Sequence, residues 1–232
     1  MNPLITCENL AKNYSGVNAL NHITLTLYRG RIIGLLGPNG SGKSTLIKLI
    51  AGVLTPTSGN VRINGQLPGI ASKEAIAYLP DCMSLNSYMT IQQLVRFFKD
   101  FYSNFNEEKA YDMLKRLNLN LNQRFRTLSK GTKEKVQLVL TMSRDADLYL
   151  LDEPIGGVDP AARDYILETI ISNYSQDASI LISTHLITDI ENILDDALFI
   201  NQGNIQMYAP VEEIRNSYHT SLDGYFREAY RC

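Results

Sequence analysis

Gly37-Pro38-Asn39-Gly40-Ser41-Gly42-Lys43-Ser44-Thr45 follows the apolar run Ile32-Ile-Gly-Leu-Leu36. Its spacing, G-x-x-x-x-G-K-[ST], is that of a phosphate-binding loop. The run before it, bounded by glycines, reads as a buried strand, and Leu46, Ile47, Leu49 and Ile50 after it recur at helical spacing. Gly37, Gly40 and Gly42 let the backbone curl until successive N–H groups point inward at phosphate oxygens. The helix N-terminus beyond adds a positive dipole end. Lys43 is placed to reach the β- and γ-phosphates, and the Ser44 hydroxyl to ligate Mg²⁺. Every residue from 37 to 45 is therefore expected at a bound nucleotide.

The 232 residues suffice for one well-buried α/β domain. With 44% hydrophobic and 20% charged residues the chain is globular rather than disordered. Lys plus Arg number 22 against 24 Asp plus Glu, and no basic cluster stands out, so no nucleic-acid partner is expected. Cys7, Cys82 and Cys232 are odd in number and widely spaced, which suits free thiols in a reducing compartment. Met1-Asn-Pro-Leu-Ile-Thr is neither a signal peptide nor a transit sequence. No apolar stretch approaches the roughly twenty residues that cross a bilayer. The expectation is a cytoplasmic protein; if it serves a membrane, another chain does the crossing.

The first thirty residues read as antiparallel strands, with Ile23, Leu25 and Leu27 alternating with threonines. Val61 and Ile63 alternate into Asn64-Gly65, a hairpin-type turn signal. Ala75–Leu79 reads as a short strand ending at Pro80-Asp81. From Thr90, which matches a capping box with Gln93, the period becomes helical, and a second helix is expected at about 107–118. Together they suggest a helical subdomain over about 82–144 within a single domain spanning 1–232. Strand 148–152, helix about 160–174, strand 179–183, helix about 186–193 and strand 196–201 then alternate as in a parallel sheet. A short strand, 204–209, and a polar helix from about Val211 follow.

Leu148-Tyr-Leu-Leu151-Asp152-Glu153-Pro154 is a buried strand ending in two carboxylates. A carboxylate at the C-terminal tip of a parallel strand stands where such sheets bind ligands. Asp152 is the expected partner of Mg²⁺ and Glu153 the general base that polarises an attacking water. Two solvated acids at a strand end are the bland alternative, which the phosphate loop in the same chain disfavours. Ser179–His185 is another buried strand ending in Ser183-Thr184-His185. The histidine can donate to a γ-phosphate or hold the attacking water, or can simply lie on the surface.

The phosphate loop, Leu-Leu-Asp-Glu-Pro, Gly-Val-Asp159 and Ser-Thr-His185 stand in the order found in ATP-binding cassette (ABC) ATPases. Leu128-Ser129-Lys130-Gly131-Thr132 between them is similar to that family's Leu-Ser-Gly-Gly-Gln signature. The resemblance covers essentially the whole chain. It implies the phosphate-loop ABC ATPase fold: a RecA-like parallel-sheet core, an N-terminal antiparallel β subdomain and a helical subdomain carrying the signature. It further implies an ATPase that pairs with a second ABC ATPase subunit, head to tail around two ATP molecules. Each ATP would be held by the phosphate loop of one subunit and by Ser129, Lys130 and Gly131 of the other. Asp159 would belong to a loop crossing the dimer interface, and Tyr14 would place its ring against adenine, although packing equally explains an aromatic there. Ser129 opening a helix would present a hydroxyl and free N–H groups to phosphate; the same geometry serves if it merely caps that helix.

Two positions depart from the family pattern. Asp81 replaces the glutamine expected after the Tyr-Leu-Pro strand, and still offers oxygen to Mg²⁺. Lys130 replaces the first signature glycine and Thr132 the glutamine. Both look like the ABC-2-type, exporter-like branch, whose membrane-spanning permease is a separate chain, so attachment to the inner face of the cell membrane through that permease is implied. The apolar loop Cys82–Met89, with Met83 and Leu85, and Phe97, Phe98 and Phe101 would border the groove receiving a permease helix; packing against the helical subdomain is the alternative for the loop. A non-transport ABC ATPase is the competing reading. Repair members carry long coiled-coil insertions and translation factors usually two cassettes, which this chain has not; an iron–sulfur assembly subunit fits by length. A GTPase or small-molecule kinase lacks support, since no Asn-Lys-x-Asp motif is present.

Overall fold

The computed structural model describes residues 3–82, 85–156, 160–175 and 177–230, with 160–162 described by backbone alone. The chain forms β1 (Pro3–Tyr14) and β2 (Val17–Tyr28), and β3 (Ile32–Leu36) then runs through the glycine loop into α1 (Lys43–Ile50). β4 (Ser58–Ile63), α2 (Ile70–Ala75) and β5 (Ile76–Leu79) follow. Next come α3 (Ile91–Phe101), α4 (Glu107–Arg116) and α5 (Lys130–Met142), ahead of β6 (Leu148–Asp152). After them lie α6 (Pro160–Asn173), β7 (Ser179–Thr184), α7 (Ile187–Ile190) and β8 (Asp196–Asn201). β9 (Asn204–Pro210), α8 (Val211–Tyr218) and α9 (Leu222–Ala229) end the described chain.

β2-β1-β4 form an antiparallel sheet, and β5-β6-β7-β3-β8-β9 a second sheet that is parallel except for β9. The parallel strands are apolar on both faces, as strands covered on both sides must be. Leu148 and Leu150 of β6 join Ile33, Leu35, Leu198 and Ile200 in a core that includes α1 and the antiparallel sheet. Tyr149 and Leu151 join Leu36, Ala77, Ile182 and Phe199 in a second core beneath α3–α6. Successive side chains thus serve opposite layers.

The helices between β5 and β6 start where the caps predict. Thr90 Oγ1 accepts from Gln93 N–H while Gln93 Oε1 accepts from Thr90 N–H, a complete capping box. Ile91, Leu94 and Val95 of α3 are buried against Ala110, Met113 and Leu114 of α4. Asn106 caps α4 through Lys109 N–H.

The structure departs from the sequence expectations in four places. Ala75 ends α2, a helix the pattern did not announce, and β5 begins one residue later. Asn64 and Gly65 do turn the chain, both at positive φ, but the pairing stops at an Ile63–Gln66 bridge. Pro68 follows with no N–H to continue a ladder, so β4 pairs with β1 instead. α7 is shorter than expected, and α9 adds an unforeseen helix whose Tyr225 packs on Phe199. Cys7 and Cys82 are unpaired thiols, and burial pushes the Cys7 thiol up to about 12.

Arg144 closes the helical segment onto the sheet. Its guanidinium donates to the carbonyls of Lys73, Glu74 and Ile76 and to Asn104 Oδ1, and stacks 3.9 Å over Tyr102. The carbonyls of Lys73 and Glu74 lie at the negative end of α2, which suits a cation. Removing the side chain strands the buried Ile76 carbonyl and three part-buried acceptors. Arg144→Ala therefore lowers the free energy of unfolding by about 3 kcal/mol or more in urea titration; a loss under about 1 kcal/mol would contradict this role.

Candidate functional site

β3, β6 and β7 are adjacent and parallel, so the glycine loop, the Asp152-Glu153 pair and Ser183–His185 all leave the sheet at one edge. The loop is closely fitted. A Cβ on Gly37 would stand 2.2 Å from the Ile200 carbonyl oxygen, and Gly42 adopts φ 111° while opening α1. Lys43 is buried, and its Nζ donates to the carbonyls of Gly37 (2.8 Å) and Pro38 (3.2 Å). Glu153 Oε1 lies 3.9 Å away. Burial lowers the Lys43 pKa, while Glu153 and Asp152 oppose the shift. The ammonium thus lies across its own loop, where two carbonyls hold a place that phosphate oxygens can take. A cleft of about 290 Å³ opens here, lined by the loop, Ser44, Thr45, Ala19, Asp81 and Glu153.

Asp152 is fully buried at the tip of β6. Its Oδ1 accepts from Ser44 Oγ (3.0 Å) and Ser183 Oγ (2.6 Å), whereas Oδ2 has no partner among the described residues. Burial raises its pKa, opposed by the bonds from Ser183 and Ser44. An unpartnered buried carboxylate oxygen beside a hydroxyl is the donor set that Mg²⁺ takes along with phosphates and waters. No group of three or more His, Cys, Asp or Glu residues among the described residues forms a metal cage, and a cation shared with phosphates needs none.

Glu153 turns out of the sheet at φ 51°, a left-handed conformation rare for a non-glycine residue and common where strain serves a site. Its N–H donates to the Ser183 carbonyl and hydroxyl oxygens, and its Oε2 lies 3.0 Å from His185 Nδ1. The structure therefore brings together Lys43, Ser44, Asp152, Glu153 and His185. Asp81 borders the same cleft, half exposed, with its carboxylate 3.9 Å from Lys48 Nζ. Ser183 is the functional residue that sequence reading missed. It accepts from Glu153 N–H and donates to Asp152, and the strand register that pairs Asp152 with Ser183 is the feature that places it.

Other expected residues lie apart from the loop cleft. Tyr14 is exposed at the end of β1, with Lys12 Nζ 5.1 Å over its ring, and from that sheet it is Ala19 that lines the cleft. Ser129 caps α5, its Oγ accepting from Thr132 N–H, while Lys130 is largely exposed with its Nζ 3.9 Å from Glu134. Neither these nor Gly131 line the loop cleft. Asp159 and Met83 lie outside the described residues. Leu85 and Phe98 are partly buried against the core, so the core claims part of the surface assigned to a partner. Phe101 is exposed and stacks on Phe97 at 5.9 Å, and Phe101, not Phe97, lines a cleft of about 480 Å³ with Val53, Lys48, Lys73 and Arg144. No helix among the described residues is long and apolar enough to cross a membrane.

The family described as ABC transporter matches residues 20–156. The ABC transporter ATP-binding protein YtrB of Bacillus subtilis (strain 168) is 30% identical over 93% of this chain and 75% of its own length. The SkfA peptide export ATP-binding protein SkfE of the same organism is 31% identical over 89% of this chain and 90% of its own. A solved ATP-binding subunit of an ABC transporter superposes with a TM-score of 0.86 at 30% identity, covering 97% of this chain and 98% of that one. The post-hydrolysis dimer of the cassette MJ0796, bound to ADP and Pi, shares the fold at 20% identity and a TM-score of 0.77, over 89% of this chain and 98% of that one. These relatives bear out the transporter reading rather than iron–sulfur assembly. With its phosphate loop, buried aspartate and Glu153–His185 pair gathered at one end of the parallel sheet, the chain belongs to the ABC transporter family, as an ATP-binding cassette of the kind that hydrolyses ATP.

Proposed function

We propose that this cassette closes head to tail with a second ABC ATPase subunit over two ATP molecules, and that hydrolysis drives a separate membrane-spanning permease. The observation that carries the reading is the Glu153–His185 pair standing beside Lys43 at the mouth of the loop cleft. In each site Glu153 takes a proton from the water whose oxygen bonds to the γ-phosphorus, and ADP leaves with the bridging oxygen. His185 Nδ1 faces the base carboxylate, and with a proton on each ring nitrogen its other N–H donates to the γ-phosphate. Lys43 exchanges the Gly37 and Pro38 carbonyls for phosphate oxygens. Asp152, Ser44 and Asp81 would hold Mg²⁺, which when bound offsets charge on the β- and γ-phosphates.

Ser129, Lys130 and Gly131 of the facing copy seal the nucleotide. Ser129 Oγ accepts from Thr132 N–H and lies 2.8 Å from Thr132 Oγ1, so its hydroxyl hydrogen reaches phosphate when Thr132 is the donor of that second contact. Tyr14 takes the adenine ring in place of Lys12, and Asp159 lies on the loop that crosses to the other copy. A permease helix enters the cleft below Phe101, where Lys48 and Lys73 suit a segment of apolar and acidic residues. The chain then sits in the cytoplasm, attached to the inner face of the membrane through that permease.

Glu153→Gln lowers kcat by about a hundredfold or more, and the variant accumulates as a dimer on a sizing column when ATP and Mg²⁺ are present. A monomer at high concentration under these conditions would overturn the sandwich. Phe101→Asp leaves ATP affinity within about twofold of wild type and abolishes co-purification with the permease; undiminished co-purification would remove Phe101 from the interface.

A further inference from the structure

A second cleft of about 210 Å³ lies behind Glu153, between the end of β5, the tip of β6 and the first turns of α5. Asp81, Glu134, Gln137, Asp152 and Glu153 line it, with the largely exposed Lys130 at its rim as the one cation among its lining residues. Its polar chemistry is lopsided. Glu134 Oε2, Gln137 Oε1 and Asp152 Oδ2 are buried oxygens without a hydrogen-bond partner among the described residues. Gln137 is only 5% exposed, on a helix whose neighbouring residues Val136, Leu138, Val139 and Leu140 are all apolar and buried. Its amide donates over 3.5 Å to the Cys82 carbonyl, and Glu134 Oε1 lies 3.9 Å from Lys130 Nζ.

A position so deep in an apolar helix is ordinarily filled by a hydrocarbon side chain, and buried acceptors are ordinarily paired. Asp152 Oδ2 is claimed by Mg²⁺, but Glu134 Oε2 and Gln137 Oε1 call for donors in the cleft, and water is the small donor that can serve both. The volume admits several waters. The cleft is bounded on one side by Glu153, the carboxylate that must be aimed at the attacking water, and on the other by the Asp81-Cys82 segment.

We propose that Glu134 and Gln137 are positioning residues for hydrolysis: they anchor a water cluster that fixes the Asp81-Cys82 segment and the Glu153 carboxylate relative to the reacting water. The proposal rests on Glu153 acting as the base. Neither Glu134 nor Gln137 touches the nucleotide; each acts through the waters and so on the angle and distance of attack, to which rates are steeply sensitive. Because α5 also begins at Ser129, the same helix that seals the facing copy's nucleotide steadies the hydrolytic carboxylate of its own.

Steady-state ATPase assays and thermal melts of the full chain test this, using Glu134→Met and Gln137→Met, which keep side-chain length and remove the acceptors. Each lowers kcat by about tenfold or more, with KM for ATP within about twofold and the melting temperature unchanged or higher. The double variant is no slower than the slower single variant, since both lose the same waters. Glu134→Gln, which retains an acceptor, recovers turnover to within about threefold. Wild-type kcat in both Met variants, a fall in kcat that tracks a fall in melting temperature, or multiplying effects in the double variant would each overturn the proposal. Glu153→Gln is the control. Its failure to lose activity would overturn the base assignment and this proposal together, whereas its loss alongside fully active Met variants overturns this proposal alone.

Discussion

The buried carboxylate of Asp152 is the hub on which the site depends. One of its oxygens receives hydroxyls from Ser44 on α1 and Ser183 on β7, so a single acceptor ties the phosphate-loop helix to two central strands. The dry surroundings strengthen these bonds and penalise any arrangement that breaks them. Ser183 extends the tie, since it also receives the Glu153 N–H and thereby holds a residue in a backbone conformation it would otherwise avoid. The positions of both carboxylates and the strained backbone of Glu153 thus come from one small network.

The fold supplies that network by stacking layers. Alternate residues of β3, β6 and β8 feed two cores, which leaves the strand ends, rather than the faces, as the place for polar groups. The order of β6, β7 and β3 sets three chain exits side by side. Each exit brings a different function: carboxylates, hydroxyl and imidazole, and phosphate-binding backbone. Arg144 fastens the α5 end of the helical segment to α2 and β5, and so keeps the wall of the site in register with the sheet.

Much of this was legible in the sequence because it is local. The glycine loop, the apolar run ending in Asp152-Glu153, and the Thr90–Gln93 capping box each lie within a few residues and carry their own geometry. Ser183 as a bridge was not legible, because its partners are set by which strand lies beside β6 and by the register between them. Arg144 escaped for the same reason: its carbonyl acceptors lie about seventy residues upstream in the chain. α2, six residues long, is too short to carry a periodic signal, whereas α9 has an amphipathic pattern and a serine cap at Ser221 that the sequence reading passed over. Tyr14, Ser129 and Gly131 stand apart from the loop cleft in a single chain, which accords with roles that need a nucleotide or a second copy.

The most direct test of the hub is Ser183→Ala, which deletes one hydroxyl, opens little space, breaks the bond to Asp152 and leaves the Glu153 N–H with the Ser183 carbonyl alone. Turnover and ATP affinity would be measured together, the latter by calorimetric titration. The account predicts kcat lowered by about ten- to a hundredfold with ATP affinity within about threefold of wild type. Wild-type kcat in a correctly folded Ser183→Ala protein would contradict it.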